Sequence, residues 1–398
     1  MNSRLDLLHP YPFQKLRALL AAAGAPPQDL APIDLSIGEP KHAAPECVLR
    51  ALRENLQGLS VYPSTQGDAR LREAIAQWLG RRYGIPAPDA GTQVLPVLGS
   101  REALFAFTQV VLDPARGGKV VCPNPFYQIY EGATLLAGGE PYYLNADPAR
   151  NFGGDWLAVP EAVWRDTRLV FVCSPGNPAG NVMSLDDWRV LFDLSERHGF
   201  VIASDECYAE IYLDEANPPL GALLAAHQLG RGDYARLMVF SSLSKRSNVP
   251  GLRSGFVAGD AALIAPFLRY RTYHGGAMSP VVSAASIAAW SDEAHVRDNR
   301  RQYREKFDAV LPVLQPVLDV QAPQASFYLW ARAPGSDADF AARLYAATGV
   351  TVLPGSYLAR EAHGINPGQG RLRLALVAEP AQCREAAERI ARFAAAAL

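Results

Sequence analysis

The chain has 398 residues, 49% hydrophobic and 20% charged, with 38 basic against 40 acidic side chains and a net charge of −2. That length suits two or three domains of ordinary globular composition, and the near-neutral balance offers no electrostatic footprint for nucleic acid or an anionic membrane. No run of 18 apolar residues occurs, which excludes a transmembrane helix, and five cysteines without a C-x-x-C spacing suggest neither a disulfide framework nor a zinc site, so no metal is expected.

Near the N-terminus, Leu19–Ala25 faintly imitates a signal-peptide core, but His9-Pro10-Tyr11-Pro12-Phe13-Gln14 is the wrong flank for one. A short amphipathic helix carrying Phe13, Leu16, Leu19 and Leu20 is the expectation, in a protein of the cytosol with reduced thiols. From about residue 94 to 260, apolar runs at Val94–Leu98, Lys119–Cys122, Leu169–Cys173, Val201–Ala203, Leu237–Phe240 and Gly255–Ala258 alternate with amphipathic stretches such as Glu102–Leu112 and Ser184–His198. Alternation of this kind predicts an α/β unit with a mainly parallel sheet. The connection from Phe240 to Ser254 is short for a parallel crossover, so the last run is expected to pair antiparallel. Beyond residue 285 the chain turns helix-rich, at Val296–Leu314 and Ala381–Leu398, around a strand pair near Phe327–Ala331 and Leu372–Leu376. The expected division is an N-terminal arm (1–35) that completes the small domain, a large domain (36–285) and a small α+β C-terminal domain (286–398).

The chemistry-bearing residues collect at the carboxyl ends of the apolar runs, where open α/β sheets bind ligands. Ser100 follows the first run, within Gly99-Ser100-Arg101, whose backbone N–H groups at a helix N-terminus suit an anion. Asn177 follows Leu169–Cys173 in a Ser-Pro-Gly-Asn-Pro turn, and Asp205 and Tyr208 follow Val201–Ala203. Asn177 could equally make a plain turn and Asp205 a helix N-cap. After Leu237–Phe240 come Ser242, Ser244 and Lys245, then Pro250-Gly251 and Arg253. An amine at a strand end, flanked by hydroxyls and a guanidinium, is what a pyridoxal phosphate enzyme needs. The lysine joins the cofactor aldehyde while its neighbours hold the phosphate.

In this order the motifs N-P-x-G, D-x-x-Y and S-x-S-K-x-x-x-x-P-G-x-R-x-G resemble those of the class I aminotransferases of fold type I, over about Gly38 to Arg373. The resemblance implies the fold-type-I architecture, a mainly parallel central sheet in a large domain plus a smaller α+β domain, and pyridoxal 5′-phosphate as cofactor. It implies Lys245 as the catalytic amine, its charge disfavoured by burial and by cations such as Arg253. Asp205 would pair with the pyridine nitrogen, and Tyr208 and Asn177 with the ring oxygen. The phosphate would be held by Gly99, Ser100, Arg101, Ser242, Arg253 and Ser244, although one of the two serines could only cap the turn. Tyr127 resembles the aromatic that stacks on the ring, with Phe126 and Tyr130 as rivals one to three positions away. Tyr62, in Tyr62-Pro63-Ser64-Thr65-Gln66-Gly67, resembles the tyrosine that reaches the neighbouring subunit's phosphate, which implies a homodimer with composite active sites.

On the substrate side, Arg373 resembles the arginine that grips the α-carboxylate in a bidentate fork, with Arg371 as rival on the same strand face, and Gly38 resembles the glycine beside that carboxylate. No arginine stands in the middle of Arg271–Pro280, which disfavours an aspartate aminotransferase of the mammalian type; Lys41 and His274 are the candidates for a distal anion. The segments Ser36–His42, Asn124–Gly132 and Gly275–Ser279 look like those of the proteobacterial succinyldiaminopimelate aminotransferases. That resemblance implies exchange of an amino group between glutamate and N-succinyl-2-amino-6-oxopimelate in diaminopimelate and lysine synthesis. The alternatives are another glutamate-dependent aminotransferase, a lyase on the same scaffold or, more remotely, a cofactor-sensing regulator domain.

Overall fold

The strands, taken from a computed structural model that describes residues 1–397, number thirteen among the described residues. The first is β1 (Ile33–Asp34). The central set is β2 (Val94–Val97), β3 (Lys119–Asn124), β4 (Glu140–Asp147), β5 (Gly153–Gly154), β6 (Thr167–Cys173), β7 (Val201–Asp205), β8 (Leu237–Ser242) and β9 (Gly255–Gly259). Four more follow: β10 (Tyr328–Arg332), β11 (Val350–Thr351), β12 (Leu353–Pro354) and β13 (Arg371–Ala375). The eight central strands form one sheet in the order β2-β9-β8-β7-β6-β3-β4-β5. From β8 through β7, β6 and β3 to β4 all pairings are parallel; β9 runs antiparallel to both β8 and β2, and β5 to β4. The short β8–β9 connection thus has the consequence read from its length.

The apolar runs are continuous because both sheet faces are covered. Along β6, Val170 and Val172 enter a core with Trp78, Trp188 and Trp290, while Leu169 and Phe171 enter the opposite one with Phe107 and Phe240. The flanking helices have local stop and start signals. Ser184 caps Leu185–His198, accepting from Asp187 N at 3.1 Å in a capping box, and Gly199 ends that helix in the left-handed region (φ 77°).

A second core lies under a three-stranded antiparallel sheet, β10-β13-β12, where Leu329, Leu372 and Leu374 pack on Phe307, Leu314 and Ile390 from the helices Ala294–Leu314 and Pro380–Ala397. The N-terminal segment joins this part of the chain: β1 pairs in parallel with β11, and Leu16 of the helix Pro12–Ala23 packs on Trp330 and Leu353. Among the described residues no helix is long and apolar enough to cross a membrane, and all five cysteines are free.

Candidate active site

The carboxyl ends of β6, β7 and β8 open into a cleft of about 180 Å³ lined by Ser100, Arg101, Tyr127, Asn177, Asp205, Tyr208, Lys245, Gly38 and Arg373, with Tyr11 and Phe13 of the N-terminal segment at its rim. The strand ends converge because β6, β7 and β8 are parallel neighbours in register: Cys173 pairs with Asp205, and Asp205 with Phe240.

Lys245 stands on the four-residue helix Leu243–Arg246 that ends β8. Its Nζ donates to the Gly38 carbonyl and lies 5.5 Å from the centre of the Phe327 ring. Burial pulls the ammonium down to about 8, with Arg373 and Arg101 acting in the same direction. These two guanidiniums, rather than Arg253, are the cations that act on the amine. Arg253, in the left-handed region (φ 51°), turns instead to the loop after β2 and donates to the carbonyls of Pro250 (2.9 Å) and Leu98 (3.2 Å). Ser242, not Ser244, is the cap of the short helix: its Oγ accepts from Ser244 N at 3.1 Å and donates to Ser244 Oγ at 2.8 Å.

Asp205 is 4% exposed, and its carboxylate accepts from Tyr130 Oη at 2.8 Å and Cys207 N at 3.3 Å. Burial pushes this carboxyl up, since both partners are neutral. Tyr130, buried and stacked on Phe171 at 4.4 Å, is therefore a carboxylate partner, which its place as a rival for ring stacking did not reveal. Phe126, the other rival, stacks on Tyr143 at 5.4 Å away from the cleft, whereas Tyr127 lines it. Tyr208 Oη meets Tyr328 Oη at 3.1 Å. Arg373 is buried, with Nη1 donating to Asn177 Oδ1 at 3.0 Å, Nη2 to the Ser36 carbonyl at 2.7 Å, and its plane 4.4 Å over the Tyr328 ring. Its rival Arg371 lies over Phe152 instead.

Seven sequence candidates do not line this cleft: Gly99, Ser242, Ser244 and Arg253, and also Lys41, His274 and Tyr62. Lys41 is exposed and turned back to Glu39 at 3.2 Å; His274 ends the helix Ala261–His274, stacked on Tyr270 and 3.9 Å from Glu102; Tyr62 is 100% exposed. The cleft's remaining cation is the side chain of Arg101. Its Nε donates to Tyr127 Oη at 2.5 Å, and its Nη atoms have no acceptor among the described residues. Tyr328 was hidden in the sequence because an aromatic in a buried strand reads as core. Elsewhere, Cys47, Asp292 and His295 bring possible ligand atoms within 4.8 Å of one another. The ring of His295 is engaged at both nitrogens, by Asp292 (3.0 Å) and Ser247 (2.8 Å), a closed hydrogen-bond set.

The residues fit pyridoxal phosphate. Asp205 is a buried carboxylate without a cation, which a protonated ring nitrogen would supply. Gly99, at φ 88°, leaves a space that a Cβ would fill, 2.4 Å from Arg253 Nη2, where the helix Ser100–Val111 begins and its first N–H groups lack helical acceptors. Lys245 supplies a partly buried amine at the same cleft.

Comparison with known proteins agrees. Residues 31–390 match the family of class I and II aminotransferases. The LL-diaminopimelate aminotransferase of Nitratidesulfovibrio vulgaris strain Hildenborough is 34% identical over 99% of both chains, and that of Aquifex aeolicus 30% identical over 98% of both. The crystal structure of an aminotransferase from Neisseria meningitidis superposes with a TM-score of 0.95 at 55% identity, covering 98% of this chain and 99% of that one. A probable N-succinyldiaminopimelate aminotransferase from Thermus thermophilus gives 0.85 at 27% identity, covering 96% and 100%. The chain therefore belongs to the class I and II aminotransferases and is a pyridoxal-phosphate-dependent enzyme of that family.

Proposed function

We propose that this aminotransferase moves an amino group between glutamate and a diaminopimelate-type substrate, N-succinyl-LL-diaminopimelate, in diaminopimelate synthesis. The carrying observation is the pair of cations facing one cleft: Arg373, buried and already oriented, and Arg101, whose Nη groups have no protein acceptor among the described residues. A substrate with an α-carboxylate and a distant second carboxylate matches that pair. The second reading, unsuccinylated LL-diaminopimelate, is favoured by the names of the relatives from Nitratidesulfovibrio and Aquifex.

When bound, pyridoxal phosphate supplies an aldehyde that captures the amino group and a ring that draws in the electron pair left at Cα. Arg373 holds the α-carboxylate beside Gly38, which fixes Cα relative to Lys245. Lys245 Nζ, lowered by burial to about 8, takes the Cα proton and later returns it. Asp205 keeps the ring nitrogen protonated, and Tyr130 orients Asp205. Asn177 and Tyr208 would hold the ring oxygen, and Tyr127 would pack against the ring. Gly99, Ser100 and Arg101 (through backbone N–H groups), with Ser242, Ser244 and Arg253, would hold the phosphate. In the same reading the enzyme is a homodimer to which each subunit lends Tyr62, and the chain divides at about residues 35 and 285. The separate cores under the eight-stranded and three-stranded sheets support that division.

The test is a set of single turnovers of purified holoenzyme with glutamate, N-succinyl-LL-diaminopimelate, LL-diaminopimelate, aspartate and phenylalanine. Conversion of glutamate and the succinylated substrate ahead of the others is expected. Faster turnover of free LL-diaminopimelate would transfer the assignment to the second reading, and faster turnover of aspartate or phenylalanine would remove both.

A further inference from the structure

Asn299, on the helix Ala294–Leu314, is 1% exposed, and every polar atom of its amide has a partner inside the protein. Its Oδ1 accepts from Asn248 Nδ2 at 3.1 Å and meets His42 Nδ1 at 2.6 Å. Its Nδ2 donates to the carbonyls of Lys245 (3.3 Å) and Arg246 (3.5 Å). Only this orientation of the amide satisfies both sides, because a flipped amide would point oxygen at two carbonyls and nitrogen at two donors. The two carbonyls end the helix Leu243–Arg246, where such groups lack intrahelical acceptor bonds.

His42 completes the arrangement. To donate to Asn299 Oδ1 it must carry its proton on Nδ1. Its Nε2 is buried without a partner, and the ring lies 4.6 Å from that of Tyr303. His42 also stands four positions after Gly38, the residue whose carbonyl receives Lys245 Nζ. Lys245 is therefore held at both ends by one stretch of chain: at its amine directly by Gly38, and at its carbonyl through Asn299 by His42. Neither His42 nor Asn299 lines the cleft.

We propose that His42 and Asn299 are positioning residues for Lys245: they fix the backbone from which the amine reaches into the cleft, and so govern proton transfer without binding substrate. This rests on Lys245 being the reacting amine. Proton transfer is sensitive to such placement, a shift of about 1 Å costing on the order of a hundred-fold, whereas the α-carboxylate grip belongs to Arg373.

Three variants separate this from a merely structural role. Asn299→Asp is isosteric but turns a carboxylate oxygen toward the two carbonyls. His42→Leu removes the donor, and His42→Asn keeps one at the place of Nδ1. Asn299→Asp and His42→Leu are expected to lower kcat about ten- to a hundred-fold with KM for glutamate within about two-fold. Both should alter the rate at which Lys245 is acetylated in cofactor-free protein, read by mass spectrometry. His42→Asn should restore kcat to within about three-fold of wild type and the wild-type acetylation rate. If Asn299→Asp does not fold, the comparison of the two His42 variants decides. Equal kcat in His42→Asn and His42→Leu, kcat and KM moving in proportion, or a change in melting temperature alone would overturn the proposal. Borohydride reduction of the wild-type holoenzyme distinguishes the underlying reading. Cofactor fixed on another lysine would remove Lys245 from the chemistry, whereas cofactor on Lys245 with unaltered variants would remove only the role of His42 and Asn299.

Discussion

Replacing Arg101 by alanine isolates the contribution of the second cation. The substitution leaves the backbone N–H at the start of the helix Ser100–Val111, so cofactor retention should not change. What disappears is a guanidinium tied to the protein through Nε alone, with two Nη groups available to a carboxylate. A charge-assisted pair of that kind contributes about 1.5–3 kcal/mol where water is excluded. Arg101 is exposed, so solvent screening reduces this to about 1–2 kcal/mol, or about a five- to thirty-fold fall in kcat/KM. The loss should depend on the substrate. N-succinyl-LL-diaminopimelate should show all of it, while alanine, which has no distal carboxylate, should react at the wild-type rate. Arg101→Lys should fall between, since it keeps the charge and loses the fork. Single turnovers of each half-reaction measure this directly. Equal losses with alanine and the succinylated substrate would refute the reasoning and assign Arg101 to holding Tyr127 alone.

Acetylation of Lys245 in cofactor-free protein should follow a midpoint near 8, well below the ~10.4 of a surface lysine; a midpoint at the surface value would show an amine that is not desolvated. Gly38→Ala would place a Cβ 1.9 Å from Tyr328 Oη and displace a ring that bonds Tyr208, so KM for glutamate should rise about ten-fold or more, and wild-type kinetics would refute the contact. Burial lifts Glu206 to about 7 from 4.5, so the folded state binds its proton more tightly than the unfolded chain and stability is lost as pH rises across that window. The unfolding free energy of Glu206→Gln relative to wild type should then be larger at about pH 8 than at about pH 5, by up to roughly 3 kcal/mol in denaturant titrations, and a gap that does not change with pH would refute the shift. Mixed dimers of Lys245→Ala with Tyr62→Ala subunits should regain up to one working site, whereas no recovery above either parent would separate Tyr62 from the neighbour's site.

The sequence made the central sheet legible where both faces are buried. The runs around Val170, Ile202 and Val239 have few other uses, and the polar residues that end them mark the ligand edge. It did not show β4, whose Glu140–Asp147 is half-exposed and mixes charges with tyrosines, so neither a continuous nor an alternating pattern emerges. The placing of Lys245 and Asp205 at the ligand edge was legible because Asp205 ends β7 and Lys245 comes just after β8. The bond from Tyr130 to Asp205 was not, because it depends on how the helix Ile129–Leu136, packed on β3 and β4, brings Tyr130 to the end of β7, across 75 positions of sequence. The presence of the Arg101 side chain in the cleft was not legible for a similar reason. A motif marks where the Arg101 backbone lies, but only the fold shows its side chain turned into the cleft while Lys41 and His274 turn away.

The two sheets divide the site unequally. Asp205 ends a strand of the eight-stranded sheet and Lys245, Asn177 and Gly99 come soon after others, whereas Arg373 stands on β13 of the other sheet. Under the proposed roles, prosthetic group and client are handled by separate scaffolding. In that reading, drift in the packing of the β13 leucines would retune which acids are accepted, and how tightly, while the tether and its phosphate cradle stay intact. A lineage built this way can change diet without first losing its coenzyme, and an engineer seeking new amines has the same freedom, with the packing around Leu372 and Leu374 as the place to begin.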